Sequence, residues 1–230
     1  MSDKLSVIVP VYNEKDTILK VLDIIHDVPV EKEIVVVDDG SKDGTTELLT
    51  GRFSGKDDFK VSFHEKNLGK GSAIRTGICR ATGGMIIIQD ADLEYNPFDY
   101  LPLIEKMRRT GAAAVYGSRF LGKKRVTSGW HRGVNGFLTW LTNLLYGASL
   151  SDMETCYKLF RADFLKSLDL RSTNFEIEVE LTAKTLKAGQ KIIEIPIAYK
   201  GRAFHEGKKI GWKDGVEALF RIFYYRFFEK

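Results

Sequence analysis

The sequence predicts an α/β protein with a mostly parallel central sheet and helices on both faces. Three observations carry this. Short, continuous apolar runs rich in β-branched residues recur along the first half, at Leu5–Val9, Ile34–Val37 and Met85–Ile88. Stretches with apolar residues at helical spacing separate them. Each run ends in a polar or acidic cluster, as strands buried on both faces do when they feed a crevice.

The elements follow in order. Leu5–Val9 is a strand closed by Pro10, and Glu14–His26 is a helix with Ile18, Leu19, Leu22 and Ile25 on one side. Ile34–Val37 is a buried strand running into Asp38-Asp39-Gly40-Ser41, and Thr45–Leu49 opens the next helix. Lys60–Phe63 reads as a strand, Gly71–Ala81 as a helix, and Met85–Ile88 as a strand ending in Gln89-Asp90-Ala91-Asp92. Pro97 starts a helix that runs to about Arg109, and Ala112–Tyr116 is a fifth strand. The second half is less regular. Trp130–Tyr146 is a helix striped by Trp130, Val134, Phe137, Leu138, Leu141, Leu144 and Leu145. Phe175–Ala188 is a helix stopped by Gly189, and Lys191–Tyr199 is a strand that Pro196 assigns to a sheet edge. A basic loop, Lys200–Lys209, precedes a last aromatic helix, Trp212–Phe228.

The chain has 230 residues, 43% hydrophobic and 29% charged, an ordinary globular composition read as one domain, 1–230. Its net charge of +4 is too mild to argue for nucleic acid. The distribution says more: residues 1–118 carry 15 basic and 19 acidic groups, residues 119–230 carry 20 and 12. An acidic half before a basic half suggests a metal-handling part and an anion-meeting part. Cys79 and Cys156 make no disulfide framework and point to a reducing compartment. No signal peptide is apparent, and no run of about 18 apolar residues could span a bilayer.

The strand ends gather Tyr12-Asn13-Glu14, Asp38-Asp39, Asp90-Asp92 and Ser118-Arg119 at one crevice. Asp90 and Asp92, at i and i+2 after a buried strand with Glu94 close behind, suit a hard divalent cation, Mg²⁺ or Mn²⁺, whose other ligands are substrate phosphates. No His or Cys accompanies them, which argues against zinc. His64, His131 and His205 read as ordinary. Asn67 with Gly69-Lys70-Gly71 precedes a helix and could cradle phosphate, though without P-loop spacing. No G-x-G-x-x-G follows the first strand, which disfavours a dinucleotide-binding dehydrogenase.

In order, Pro10-Val-Tyr-Asn-Glu14, Asp38-Asp-Gly-Ser41, Asn67-Leu-Gly-Lys-Gly71, Asp90-Ala-Asp92 and Gly117-Ser-Arg-Phe120 resemble the inverting nucleotide-sugar glycosyltransferases of family 2, with the GT-A fold. Asp152-Met-Glu-Thr-Cys-Tyr-Lys158, Phe175-Glu176, Glu194-Ile-Pro196, Arg202 and Gly207-Lys208 narrow this to the dolichyl-phosphate mannose synthase and polyprenyl-phosphate branch. The resemblance covers nearly all the chain. It implies that Pro10, Tyr12 and Glu14 frame the nucleotide and that Val37 and Asp39 contact base and ribose. Asp90, Ala91 and Asp92 would hold the ribose-diphosphate and the metal, with Glu94 as a further metal ligand. Arg119, Arg132, Arg202 and Lys208 would handle donor diphosphate and acceptor phosphate. Lys70 joins the donor set. Asp92, Arg119, Arg132 and Arg202 carry the catalytic assignment, and Arg119 and Arg132 the acceptor. Lys158 stands where many relatives have Arg, so a phosphate contact there would lack a bidentate fork.

The expected reaction is metal-dependent, inverting transfer of a sugar from a GDP-mannose or UDP-glucose type donor to a polyprenyl or dolichyl phosphate. A phosphate is already ionised at neutral pH, so no general base is required; Glu176 is the candidate if one is. A bilayer-borne acceptor also accounts for the two aromatic helices, whose Phe137, Leu138, Leu141, Leu144 and Leu145, and Phe220, Phe223, Tyr224, Phe227 and Phe228 with Arg221 and Arg226, suit a membrane interface as well as a core or a dimer seam. The expectation is a cytoplasmic protein, peripheral at the membrane's cytoplasmic face. A membrane-anchoring partner, a homo-oligomer, the sugar and the base stay open, as do a saccharide-hydroxyl acceptor and a non-catalytic sugar-nucleotide or lipid-binding module.

Overall fold

The computed structural model describes residues 3–53, 58–122, 129–201 and 212–229; the side chains of 53, 129–131 and 212–214 fall outside that description. Strands β1 (Leu5–Val11), β2 (Lys32–Asp38), β3 (Phe59–Phe63), β4 (Met85–Ile88), β5 (Ala114–Ser118), β6 (Lys158–Arg161) and β7 (Ile192–Pro196) form one sheet in the order β3-β2-β1-β4-β6-β5-β7. The helices are α1 (Ile18–Asp27), α2 (Thr45–Phe53), α3 (Lys70–Arg80), α4 (Tyr100–Thr110), α5 (Gly129–Tyr146), α6 (Ala162–Ser167), α7 (Ile177–Lys187) and α8 (Trp212–Phe227).

Six strands run the same way. Only β6 is reversed, antiparallel to both β4 and β5. The sequence reading misses β6 and α6: Lys-Leu-Phe-Arg is too short and too charged at its ends to show a strand pattern, and its place between β4 and β5 is set by partners distant in sequence. The reversal matters for function. The carboxyl ends of the parallel strands open on one edge of the sheet, and the start of β6 opens there too. The loop leading into β6 therefore enters the crevice.

Two boundaries shift for local reasons. Helix α1 begins at Ile18 rather than Glu14 because the preceding loop is pinned to its neighbour. The amides of Asn13, Glu14 and Lys15 donate to Ser41 Oγ (2.9 Å), Thr45 Oγ1 (3.1 Å) and Asp43 Oδ2 (3.1 Å). Strand β5 begins at Ala114 because Gly111, at φ 66°, closes α4 in a left-handed cap. Pro196 does lie on an edge strand, β7, as its missing N–H requires.

The main core packs the buried faces of β1, β2, β4 and β5 against α1, α3 and α4. A second cluster joins α5, α7 and α8 through Leu138, Leu141, Met153, Val179, Ala183, Ala218, Ile222 and Tyr225. The aromatic helices are thus neither wholly core nor wholly surface. On α5, Phe137, Trp140 and Leu144 stay 51–64% exposed beside the buried Leu138 and Leu141. On α8, Val216, Phe220, Phe223 and Phe227 form the exposed stripe opposite Ala218 and Ile222. The single broad stripe expected on α5 divides into a core face and an outer face. No helix among the described residues is long and apolar enough to cross a membrane.

Candidate active site

The crevice is built on charge pairs. Lys70, at the start of α3, places Nζ 2.7 Å from Asp90 Oδ1 and 3.2 Å from Glu178 Oε1 on α7. Burial alone would lower this ammonium, but Asp90, Cys156 and Glu178 outweigh it and hold its pKa well above the ordinary value. Asp90 is correspondingly held low: burial opposes ionisation and Lys70 overcomes it. The other oxygen of Glu178 pairs with Lys158, which also donates to Thr155 O at 2.7 Å. Lys158 is completely buried. It serves this internal network and offers nothing to a phosphate, which corrects the contact its position suggested.

The glycine-rich turn commits part of its backbone to the protein itself. The amides of Leu68 and Gly69 donate to Asp39 Oδ1 (2.9 Å) and Oδ2 (2.8 Å), and the Ser72 amide donates to Thr173 O (3.1 Å). A Cβ on Gly69, at φ +95°, would lie 2.3 Å from Thr173 O, so glycine is needed for that contact. These three amides are spent inside the protein, and Lys70 reaches the acidic cluster through its side chain.

The same bonds redefine Asp39. It is buried, and Oδ1 also takes His64 Nδ1 at 2.7 Å, while His64 Nε2 meets Thr76 Oγ1 at 3.0 Å. Asp39 ties the end of β2 to β3, α3 and the glycine turn. His64, read as ordinary from sequence, belongs to this clamp; its position at the end of β3 was the available signal. The side chain of Val37 is also fully buried. Pro10, Tyr12 and Glu14 are partly exposed at the end of β1, and Ala91 is buried with its carbonyl accepting from Thr17 Oγ1 at 2.7 Å.

The three expected metal ligands are not brought together as one set, and the described residues contain no group of three His, Cys, Asp or Glu able to hold a metal. Glu94 Oε2 accepts from Tyr199 at 2.6 Å, and Asp92 Oδ1 accepts the Glu94 amide at 3.2 Å. Two strand-end carboxylates, Asp90 and Asp92, remain at the crevice. Oxygen-only donors of this number fit a hard divalent cation that takes its other ligands from a diphosphate.

On the far side, Asp152 accepts from Arg119 Nε and Nη2, both at 2.7 Å, from the Arg119 amide and from Asn135 of α5. This fork orients Arg119 over the Tyr199 ring (5.2 Å) and the Phe120 ring (5.7 Å). Arg132, exposed on the first turns of α5, lies over the same Phe120 ring at 5.9 Å. The two arginines therefore converge on one aromatic. Arg202 and Lys208 lie outside the described residues. Glu176 is buried, with Oε1 accepting the amides of Thr173 and Asn174, so it fastens its own turn.

A family model, Glycosyl transferase family 2, matches residues 6–169, from β1 through the β6 region. The chain belongs to glycosyl transferase family 2. It is a glycosyltransferase with the GT-A fold. The undecaprenyl-phosphate mannosyltransferase of Micrococcus luteus is 29% identical over 215 residues, covering 89% of this chain and 86% of that one. The polyprenol monophosphomannose synthase of Mycolicibacterium smegmatis is 27% identical over 225 residues, covering 94% and 84%. Among solved structures, glucosyl-3-phosphoglycerate synthase from Mycobacterium tuberculosis in complex with UDP superposes with a TM-score of 0.73, at 19% identity, over 96% of this chain and 79% of that one. Another structure of that enzyme, holding Mn²⁺, UDP and glucosyl-3-phosphoglycerate, has a TM-score of 0.69 at 20% identity, over 97% and 80%.

Proposed function

We propose that this glycosyltransferase moves a sugar from a nucleotide-sugar to a polyprenyl or dolichyl phosphate at a membrane surface, with inversion at the anomeric carbon. One observation carries the reading: Arg132 shares Phe120 with Arg119, and the exposed Phe137, Trp140 and Leu144 run from Arg132 along the same helix. A cationic patch at the head of an apolar stripe suits a phosphate carrying a hydrocarbon tail. The names of the two relatives, each matched over most of its length, support the same acceptor class.

On this reading the donor diphosphate meets Asp90, Asp92 and Lys70, and the acceptor phosphate meets Arg119 and Arg132. A divalent cation, Mg²⁺ or Mn²⁺, held by Asp90 and Asp92 would neutralise charge growing on the departing diphosphate. A phosphate oxygen attacks the anomeric carbon as its bond to the diphosphate breaks. The nucleophile is already anionic, and Glu176, with Oε1 bonded to two backbone amides, is not needed as a base. The outer stripes of α5 and α8 would rest in the interface, with Arg221 and Arg226 reaching toward head groups. The test is incubation with labelled GDP-mannose or UDP-glucose and a short-chain polyprenyl phosphate, with and without Mn²⁺. Metal-dependent appearance of a lipid-linked sugar is the expected result. Transfer only to a saccharide hydroxyl would overturn the acceptor, and no transfer with any donor would leave a binding module.

A further inference from the structure

One acid beside the charge network makes no ion pair or hydrogen bond among the described residues. Glu154 lies in the loop leading into β6, between Asp152 and Cys156. Asp152 fastens one end of that loop to Arg119. Cys156 fastens the other beside Lys70, with Sγ 3.9 Å from Nζ and 3.8 Å from Ile88 O. Glu154 thus lies on a short loop tied on one side to Arg119 and on the other beside Lys70. Other buried acids nearby are held by donors or cations: Asp39 by two amides and His64, Glu180 by the amides of Arg171 and Ser172, and Glu178 by Lys158 at Oε2 with Lys70 paired at 3.2 Å to an Oε1 that takes no hydrogen bond. Glu154 has no such partner among the described residues, and its Oε1 is cut off from solvent.

The charged groups facing it come from every neighbouring element: Lys158 at the start of β6, Glu178 on α7, Arg119 after β5 and Asp152 in its own loop. Burial is the strongest influence, and with the two acids it outweighs Lys158 and Arg119, pushing the carboxyl up to about 7. An ionised Glu154 would repel a phosphate held by Arg119 and Arg132. A neutral one has an O–H to donate.

We propose that Glu154 meets the acceptor phosphate as the neutral acid, donating its O–H to a phosphate oxygen, and that acceptor binding draws one proton from solvent onto this carboxyl. This rests on the polyprenyl-phosphate reading above. The proton returns to solvent when the product leaves, and Glu154 forms no bond to the sugar. The direction follows from linkage. A phosphate adds negative charge beside the carboxyl, which favours its protonated form further. Acceptor affinity should therefore fall as pH rises above about 7, by roughly tenfold per pH unit once the free carboxyl is ionised.

The experiment is calorimetric titration of the full chain with a short, water-soluble polyprenyl phosphate at pH 6.5, 7.5 and 8.5, in buffers of different ionisation enthalpy. Glu154→Gln, neutral and still an N–H donor, carries the comparison because the phosphate's own titration is common to both proteins. The wild type should take up at least half a proton more than the variant at pH 7.5, and should lose affinity between pH 7.5 and 8.5 at least fivefold more steeply. Equal proton uptake, or loss of binding by the variant at every pH, overturns the proposal. If the variant fails to fold, infrared difference spectra of the wild type decide: acceptor addition at pH 7.5 must produce a protonated-carboxyl band, and its absence is a refutation. Failure of the wild type to bind the polyprenyl phosphate at all instead removes the acceptor reading, and this inference with it.

Discussion

The buried pair Lys158–Glu178 yields an asymmetric prediction. Glu178 answers two lysines, Lys158 and Lys70. Lys158, fully buried, has Glu178 as its ion-pair partner, with the Thr155 carbonyl, the Tyr116 ring at 5.2 Å and the more distant Glu154 around it. Glu178→Leu therefore leaves a buried ammonium without its ion-pair partner, whereas Lys158→Met leaves Glu178 with Lys70 at 3.2 Å. Breaking a buried pair so that one charge is uncompensated costs about 3–5 kcal/mol. Glu178→Leu should fall in that range, and Lys158→Met should cost about 1–2 kcal/mol, because a partner survives and Met fills much of the volume. Urea unfolding, with the slope checked for two-state behaviour, measures both. At about 2–4 °C per kcal/mol for a chain of this size, the first variant should melt roughly 6–20 °C lower. The double variant should be more stable than Glu178→Leu alone, since it removes the stranded charge. Raising the pH should also rescue Glu178→Leu, as a buried lysine without a counter-ion sheds its proton at lowered pKa. Equal costs for the two single variants, or a cost below about 1 kcal/mol for Glu178→Leu, would refute the reasoning.

Four further outcomes are expected. Asp92→Ala should abolish metal-dependent turnover with little change in melting temperature, because this half-exposed strand-end carboxylate contributes little packing; full turnover at ordinary Mn²⁺ would move the metal elsewhere. Arg132→Ala should weaken use of the acceptor at least tenfold more than donor affinity, read as separate KM values, and an equal loss on the donor side would assign it to the diphosphate. Glu33, buried and bonded by Lys60, Ser6 and Thr82, is lowered to about 2 because these donors outweigh its burial. Its stabilisation, about 2 kcal/mol after allowing for the solvent-screened lysine, should be present above pH 4.5 and vanish toward pH 2; Glu33→Gln should lower stability at pH 7 and converge on the wild type in acid. Phe227 and Phe228, 63% and 76% exposed, can be changed to Ser without opening the core; the double variant should stop floating with anionic vesicles yet keep its melting temperature, and a lost fold would instead mark these rings as core.

What the sequence by itself determined is local. Runs such as Ile34–Val37 and Met85–Ile88 are strands because their side chains can only be buried, and the polar ends that follow them face a crevice because a parallel sheet offers no other place. The acidic Asp90-Ala-Asp92 turn and the edge position of Pro196 were legible for similarly local reasons, and the family from the resemblance of its motifs taken in order. Tertiary structure decided whatever depends on a partner far along the chain. Strand β6 is invisible as a pattern because its pairing comes from β4 and β5, and with its reversed direction the loop carrying Asp152, Glu154 and Cys156 reaches the site from a strand's start, where a reading of strand ends does not look. Asp39 reads as a nucleotide contact until the amides of Leu68 and Gly69 and the ring of His64 close around it. Lys158 stands in the sequence where a phosphate contact is open to it, until Glu178, twenty residues on, arrives to pair it in the core. A charge announces its type in the sequence, but its partner is chosen by the fold, because the low dielectric of the interior makes an unpaired charge too costly to leave where the sequence alone would put it.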